Sequence, residues 1–338
     1  MNRGHYNAAV RIDASAPTRV DLAGGTIDIW PLYLFHDGAQ TVHFAISLRA
    51  HARIERRADG RVAVESLDTG ARVEADGPSG LHQTPGLALI GRLVEHFGPR
   101  GVTVTTRGES PAGAGIAGSS AMNVALSAAL ARWQGVDLEP EALLSLAMNV
   151  EAQAISVPTG LQDYRPAMYG GVAALELSEG GPRRVPLDID PRELERRIVL
   201  AYTGEPRHSG TNNWEVFKKH LDGDAHVFDA FERIRDTAAA LRRALERGDW
   251  DEVGRQIAAE WENRKRLAAG VTTPAIDRLI ACAAAAGARA SKVCGAGGGG
   301  CLICYALPAD RASVRDALLA AGARVLDYRI ETEGLRLG

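Results

Sequence analysis

Residues Glu109–Ala121, Glu-Ser-Pro-Ala-Gly-Ala-Gly-Ile-Ala-Gly-Ser-Ser-Ala, set glycines and hydroxyl groups before an Ala-rich segment, Met122–Trp133, that reads as a helix. The first N–H groups of a helix have no intrahelical partner, and the helix dipole favours negative charge there. A glycine-rich turn at such a place is an anion site. Gly113, Gly115 and Gly118 lack Cβ atoms, so phosphate oxygens can approach the backbone; Pro111 opens the turn. Ser119 and Ser120 add hydroxyls that suit a phosphate or Mg2+. Taken alone, the same residues also suit a plain helix cap. Gly113-x-Gly115-x-x-Gly118 matches the dinucleotide fingerprint to the letter. That fingerprint needs a strand ending in an acidic residue about 20 positions on. Here Asp137 is followed by a second helical pattern, Pro140–Ile155. The P-loop needs a Gly-Lys-Ser/Thr ending, and no lysine lies nearby. A nucleotide site of another kind remains.

Further segments carry potential chemistry. Lys292-Val-Cys-Gly-Ala-Gly-Gly-Gly-Gly-Cys301 puts five glycines into six positions between two strand-like runs. A hairpin needs only one or two, so the rest imply close approach of a ligand or another backbone. Ala16–Asp28 is a strand entering a Gly24-Gly25 turn, with Arg19 and Asp28 at its ends; charge at strand ends is by default solvated. Glu151 lies late in the second helix, and Pro158–Asp163 is a turn carrying a second carboxylate. Such a pair can converge, one member binding Mg2+ and the other taking a proton, although most isolated pairs are solvated. Thr203–Ser209 follows a strand, and within it Arg207 is a candidate anchor for an acceptor that is already phosphorylated; a surface loop arginine is the alternative. Trp30 and Trp214 can stack on a sugar ring, with a core or interface position the expected one.

The elements that must position these residues follow from pattern. Apolar alternation marks strands at Val10–Ile12, Val20–Ala23, Thr41–Ser47, Ala50–Arg56, Arg61–Glu65 and Ala71–Ala75, with Asp59-Gly60 as a hairpin signal. Pro85–Phe97 is a helix, Gly101–Thr106 a strand, and Gly171–Leu177 and Arg183–Leu187 are strands. The proline-rich stretch 182–192 marks a boundary. Beyond it come strand Ile198–Tyr202, helices His226–Arg247, Asp249–Ala269 and Pro274–Ala286, strands Arg289–Cys294 and Cys301–Leu307, helix Ala309–Ala321 and strand Arg324–Tyr328. This alternation implies an α+β architecture. A chain of 338 residues accommodates two domains, expected at 1–188 and 189–338. The net charge of −3 gives no hint of a nucleic-acid surface, and no apolar run is long enough to predict a membrane span. No signal-like segment is seen, and Cys282, Cys294, Cys301 and Cys304 read as buried thiols of a cytoplasmic protein rather than zinc ligands.

Together these segments resemble the GHMP kinases (galactokinase, homoserine kinase, mevalonate kinase and phosphomevalonate kinase) along the whole chain. Ala16–Asp28 resembles the family's substrate-binding first motif, Pro111–Ala121 its phosphate loop and Lys292–Gly300 its glycine-rich third motif. Leu22-Ala-Gly-Gly, Gly160-Leu-Gln-Asp-Tyr and the Gly-Ala-Gly-Gly-Gly-Gly run are most similar to the heptose 7-phosphate kinase and fucokinase branch. The resemblance implies a ribosomal protein S5 domain 2-like N-terminal domain and a ferredoxin-like C-terminal domain. It implies ATP and Mg2+, a sugar or sugar phosphate acceptor, and a monomer or homodimer without nucleic-acid or membrane partners. Asp163 falls at the catalytic aspartate, with Arg19 beside it; Glu151 and Ser119 or Ser120 fall at the metal ligands. Asp28, Gly24, Gly25, Gly297 and Gly298 fall in the substrate site. Three departures touch these motifs. Gly118 stands where a first serine is usual, Thr26-Ile27 precedes Asp28 where a third glycine is common, and Tyr164-Arg165 follows Asp163 where Gln-Tyr is common. Two alternatives remain: a kinase of a non-sugar alcohol, which Asp28 disfavours, and a non-catalytic sensor, which the complete set of Ser119, Ser120, Glu151 and Asp163 disfavours.

Overall fold

The computed structural model describes residues 11–206 and 209–338. Its first layer comprises β1 (Arg11–Ala23), β2 (Gln40–Arg56), β3 (Val62–Ser66), β4 (Arg72–Ala75), β5 (Val102–Gly108), β6 (Val172–Ser178) and β7 (Gly181–Pro186). Helices α1 (Ala88–Phe97), α2 (Gly118–Trp133), α3 (Pro140–Ile155) and the short α4 (Arg165–Tyr169) belong to this half. The central helix is α2. Every residue from Asn123 through Ala131 is buried, and the small alanine side chains let β1 and β2 approach closely. Asn123 donates to the Ala147 carbonyl at 2.7 Å, which locks α3 against α2.

The second layer begins after α5 (Pro191–Glu195). It contains β8 (Ile198–Tyr202), α6 (Ser209–Leu221), α7 (Ala225–Arg247), α8 (Trp250–Lys265), α9 (Pro274–Ala285), β9 (Ala288–Val293), β10 (Cys301–Ala306), α10 (Arg311–Ala320) and β11 (Arg324–Val325). Its strand order is β11-β8-β10-β9 with every pairing antiparallel, the ferredoxin-like arrangement expected. The chain then returns to the first layer, where β12 (Arg336–Leu337) pairs with β1. On the way Ile330 bridges Ile46, and the Arg49 guanidinium donates to the Gly334 carbonyl at 2.6 Å.

Strand β1 serves both layers. Its pairing with β2 shifts register between Pro17 and Thr18, where proline cannot donate to the ladder. Before the shift Ile12, Ala14 and Ala16 pack against the helices of the first layer. After it Val20 and Leu22 pack into the second layer with Leu200, Leu241 and Ile303. Arg19 and Asp21 alternate with them and so share the other face, toward the glycine loop.

The structure departs from the sequence pattern in several places. The paired runs expected around Val10–Ala23 and Thr41–Arg56 are single long strands, bulged rather than broken. Asp59-Gly60 does not close a hairpin, because β5 inserts between β2 and β3, antiparallel to one and parallel to the other. Helix α2 starts at Gly118 rather than Met122, inside the glycine-rich stretch. The last strand of the second layer shortens to Arg324–Val325. Trp30 and Trp214 are 63% and 46% exposed, so neither occupies the core.

The returning C-terminal segment is a structural part of the first layer. Ile330→Ala is expected to lower unfolding free energy by about 2–4 kcal/mol, read as a drop in denaturation midpoint. A change within about 0.5 kcal/mol would contradict this.

Candidate active site

A cleft of about 540 Å³ opens above the N-terminus of α2. One wall is the glycine loop and the first turn of α2, from Pro111 through Ser120. Leu89, Ile90, Ile155 and Val157 also line the cleft, as do the carboxylates Glu151 and Asp163. Gly113 and Gly115 have φ of 66° and 76°, and Ala117, which precedes the helix, also has a positive φ of 60°. That left-handed residue turns the chain into the helix, and no side chain caps the helix start. The first N–H groups of α2 are thus left to the cleft, as an anion site requires.

Arg19 crosses beneath this loop. Its Nε and Nη2 both donate to Asp163 Oδ1, at 3.0 and 2.6 Å. Its Nη1 donates to the Gly115 carbonyl and to Asp21 Oδ1, each at 3.0 Å. Asp21 in turn accepts from Lys292 Nζ at 2.6 Å on Oδ2 and from the Gly295 N–H at 2.9 Å on Oδ1. Lys292 also donates to the Asp21 carbonyl at 2.7 Å. Arg264 stands 4.0 Å from Asp21, and its Nη2 donates to Glu260 at 2.8 Å. Burial opposes ionisation of Asp21, but Lys292, Arg19 and Arg264 outweigh it and hold the carboxyl well below the usual range. Burial likewise opposes the charge on Arg19, and Asp163 and Asp21 reverse that and raise its pKa. His43, opposite Asp21 in the β1–β2 register, is kept neutral: burial, then Arg19 and other arginines, push it down to about 3.

Two further carboxylates lie close by. Glu151 is buried, and accepts from Ser119 Oγ at 2.6 Å and from the Tyr164 hydroxyl at 2.8 Å. Desolvation raises its pKa despite these donors. Asp28 is buried, and its Oδ2 accepts the Gln162 N–H at 2.9 Å. Burial first, and the charge of Asp163 second, push Asp28 up to about 6. A Cβ on Gly160 would sit 2.4 Å from Asp28 Oδ2, so glycine is what lets this turn meet the carboxylate.

The fold therefore brings Glu151, Asp163 and Ser119 to the same cleft that Pro111, Gly113, Gly115, Gly118 and Ser120 line, while Arg19, bound to Asp163, and Asp28, which feels its charge, are buried behind the lining. Gly24 and Gly25 lie behind this surface. Cβ atoms there would stand 2.1 Å from the Gln40 carbonyl and 2.5 Å from Arg264 Nη2. Gly297 and Gly298 pack on Val271, whose carbonyl accepts the Gly298 N–H at 2.8 Å. Arg207 lies outside the described residues. The pattern-based reading missed Asp21, Lys292, Arg264 and Glu260. Asp21 carried a signal, since it shares Arg19's face of β1 at i+2. Arg264 and Glu260 sit on an ordinary amphipathic helix and carried none.

Comparison with known proteins adds to this geometry. The sequence profile of the GHMP kinases N terminal domain matches residues 87–171, and that of the GHMP kinases C terminal domain matches 241–324. The chain is 28% identical to D-glycero-alpha-D-manno-heptose 7-phosphate kinase of Campylobacter jejuni, covering 96% of this chain and 98% of that one. It is 27% identical to the mevalonate kinase of Thermococcus sibiricus, covering 97% and 98%. A D-glycero-D-manno-heptose 1-phosphate kinase structure from Bacteroides thetaiotaomicron superposes with a TM-score of 0.78 at 24% identity, covering 97% and 98%. The galactokinase of Lactococcus lactis, complexed with galactose, superposes at 0.77 with 17% identity, covering 97% and 95%. These two likenesses speak to fold.

Asp28 has a stability signature. Well below pH 4 its carboxyl is neutral in both folded and unfolded chains and contributes no penalty. As pH rises toward 6 the unfolded form ionises while the folded form resists, so stability is lost, and above that the cost is complete. Asp28→Asn is expected to be more stable than wild type at pH 8, by on the order of 2–3 kcal/mol. Denaturant titrations at pH 8 and pH 4.5 should show the difference shrinking on acidification; a difference independent of pH would contradict this origin.

Proposed function

The chain belongs to the GHMP kinases and is a phosphotransferase with an alcohol group as acceptor; on that premise we propose that it transfers the γ-phosphate of ATP to a hydroxyl of a sugar or sugar phosphate of the heptose 7-phosphate type. The observation that carries the chemistry is Asp163, bound by Arg19 through one carboxylate oxygen in the lining of a cleft headed by a helix N-terminus. The acceptor class is supported by the full-length similarity to a heptose 7-phosphate kinase and by Asp28, a carboxylate suited to accepting hydrogen bonds from hydroxyls.

The roles follow from position. Gly113, Gly115 and the first turn of α2 hold the triphosphate through backbone N–H groups, with the base on the apolar wall near Leu89 and Ile155. Glu151 and Ser119 or Ser120 supply hard oxygen ligands that fit Mg2+. Glu151, desolvated and resisting ionisation, is a carboxyl that a cation would compensate. Among the described residues no group of three or more acidic, His or Cys side chains forms a cation cage, so Glu151 with Ser119 or Ser120 would be the protein's share of the ligands. Bound there, it supplies charge neutralisation on the phosphates. Asp163 takes the proton of the attacking hydroxyl as the new oxygen–phosphorus bond forms and the bond to ADP breaks. Arg19 orients Asp163 through Oδ1 and counters charge on the transferring group. Arg207 is the proposed anchor for a phosphate on the acceptor. A division at 188/189 is supported by the two sheets, with the last residues lent back to the first. Among the described residues no helix is long and apolar enough to cross a membrane, and we place this ATP-dependent reaction in the cytoplasm. One or two copies of the chain suit this function equally.

The test is ADP release with Mg-ATP across heptose 7-phosphate, fucose, galactose, glucuronate, mevalonate and homoserine. One sugar is expected to turn over, with Asp163→Asn folded but slower by about 10²–10⁴-fold. Turnover with mevalonate or homoserine alone would move the acceptor to the non-sugar class. ATP binding without turnover, or a near-normal Asp163→Asn rate, would overturn the catalytic assignment.

A further inference from the structure

The way Arg19 meets Asp163 is unusual for this pair of side chains. Arginine and a carboxylate commonly form two parallel bonds, one to each oxygen. Here Nε and Nη2 both engage Oδ1, and Oδ2 makes no hydrogen bond among the described residues. The remaining nitrogen, Nη1, is pinned between Asp21 Oδ1 and the Gly115 carbonyl. Asp21 cannot move to relax this arrangement. Its own oxygens are held by Lys292 Nζ and the Gly295 N–H, both from the edge of the second glycine loop, and Arg264 stands nearby. Arg19, Asp21, Lys292 and Arg264 are each no more than 1% exposed.

Stability does not account for such a cluster. Burying ions costs more than their attraction commonly returns, and apolar replacements of similar volume are often neutral or better. What the cluster does is specify a geometry. Asp163 is 23% exposed through its side chain, so its unbound oxygen has access to the cleft that Arg19 itself lacks. Were Arg19 free to rotate, the symmetric pair would engage Oδ2 as well and leave it a weaker acceptor for a substrate proton.

We propose that Asp21 is a positioning residue: it holds Arg19 against a single oxygen of Asp163 and thereby keeps the other oxygen open to the attacking hydroxyl. Lys292 and Gly295 hold Asp21, so the second glycine loop reaches the catalytic pair through a buried carboxylate. This rests on the assignment of Asp163 and Arg19 made above.

The test is a double-mutant cycle on ADP release, using heptose 7-phosphate or whichever sugar of the panel turned over. Asp21→Asn is expected to lower kcat by about 10- to 100-fold while KM for ATP stays within about threefold. In an Arg19→Met background the same change should cost less than about twofold, because its effect runs through Arg19. A crystal structure of Asp21→Asn should show Arg19 on both oxygens of Asp163. If Asp21→Asn does not fold with Lys292 unpaired, the variant Asp21→Asn/Lys292→Met removes both charges and enters the same cycle. Equal losses in the two backgrounds, or unchanged Arg19 geometry with normal kcat, overturn the proposal. If Arg19→Met and Asp163→Asn each retain full turnover, the catalytic assignment fails instead.

Discussion

A carboxylate with no exposed surface, Asp21, sits where the two layers of this protein meet, and it is ionised because Lys292, Arg19 and Arg264 surround it. A lone carboxylate in such a place would abandon its charge or unfold its surroundings. The arrangement therefore demands that β1, α8 and the end of β9 arrive together, within hydrogen-bonding distance, before any of them is well placed. The partners come from residues 19, 264 and 292, so no single segment carries the site. Alternation along β1 is the local condition for it, because it directs Arg19 and Asp21 toward the glycine loop while Val20 and Leu22 enter the apolar core.

The two glycine-rich loops are best understood through that junction. They touch: the Cys301 N–H donates to the Ala114 carbonyl at 2.7 Å, and a Cβ on Gly300 would stand 2.7 Å from the same oxygen. Gly300 has φ of +82°, so both backbone conformation and space call for glycine there. The first loop keeps its N–H groups toward the cleft, and the second commits much of its backbone to Val271, Asp21 and the first loop. Similar composition thus serves different ends, one loop leaving its N–H groups open to the cleft and the other forming a wedge between layers.

The carboxylates near the cleft are differentiated by their surroundings. Asp28 is pressed into the turn at Gly160 and resists ionisation. Glu151 has its oxygens engaged by Ser119 and Tyr164. Asp163 is bound end-on by a guanidinium and keeps one oxygen toward the cleft. The three carboxylates are thus set apart by environment rather than by residue type.

Much of this was legible in the residues themselves. The glycine-rich turn before α2 and the helices Pro140–Ile155 and His226–Arg247 follow from local pattern, because helix periodicity, caps and glycine turns are written over a few neighbouring positions. The kinase class followed from motifs whose order and spacing resemble a family. Local pattern did not disclose the insertion of β5 between β2 and β3, the return of the C-terminus to β1, or the ion cluster of Asp21, Lys292 and Arg264. These are pairings between residues tens to hundreds of positions apart. Their energies depend on burial and distance, which a linear pattern does not contain, and only the folded chain decides which buried charges share a partner and which oxygen of Asp163 is left open.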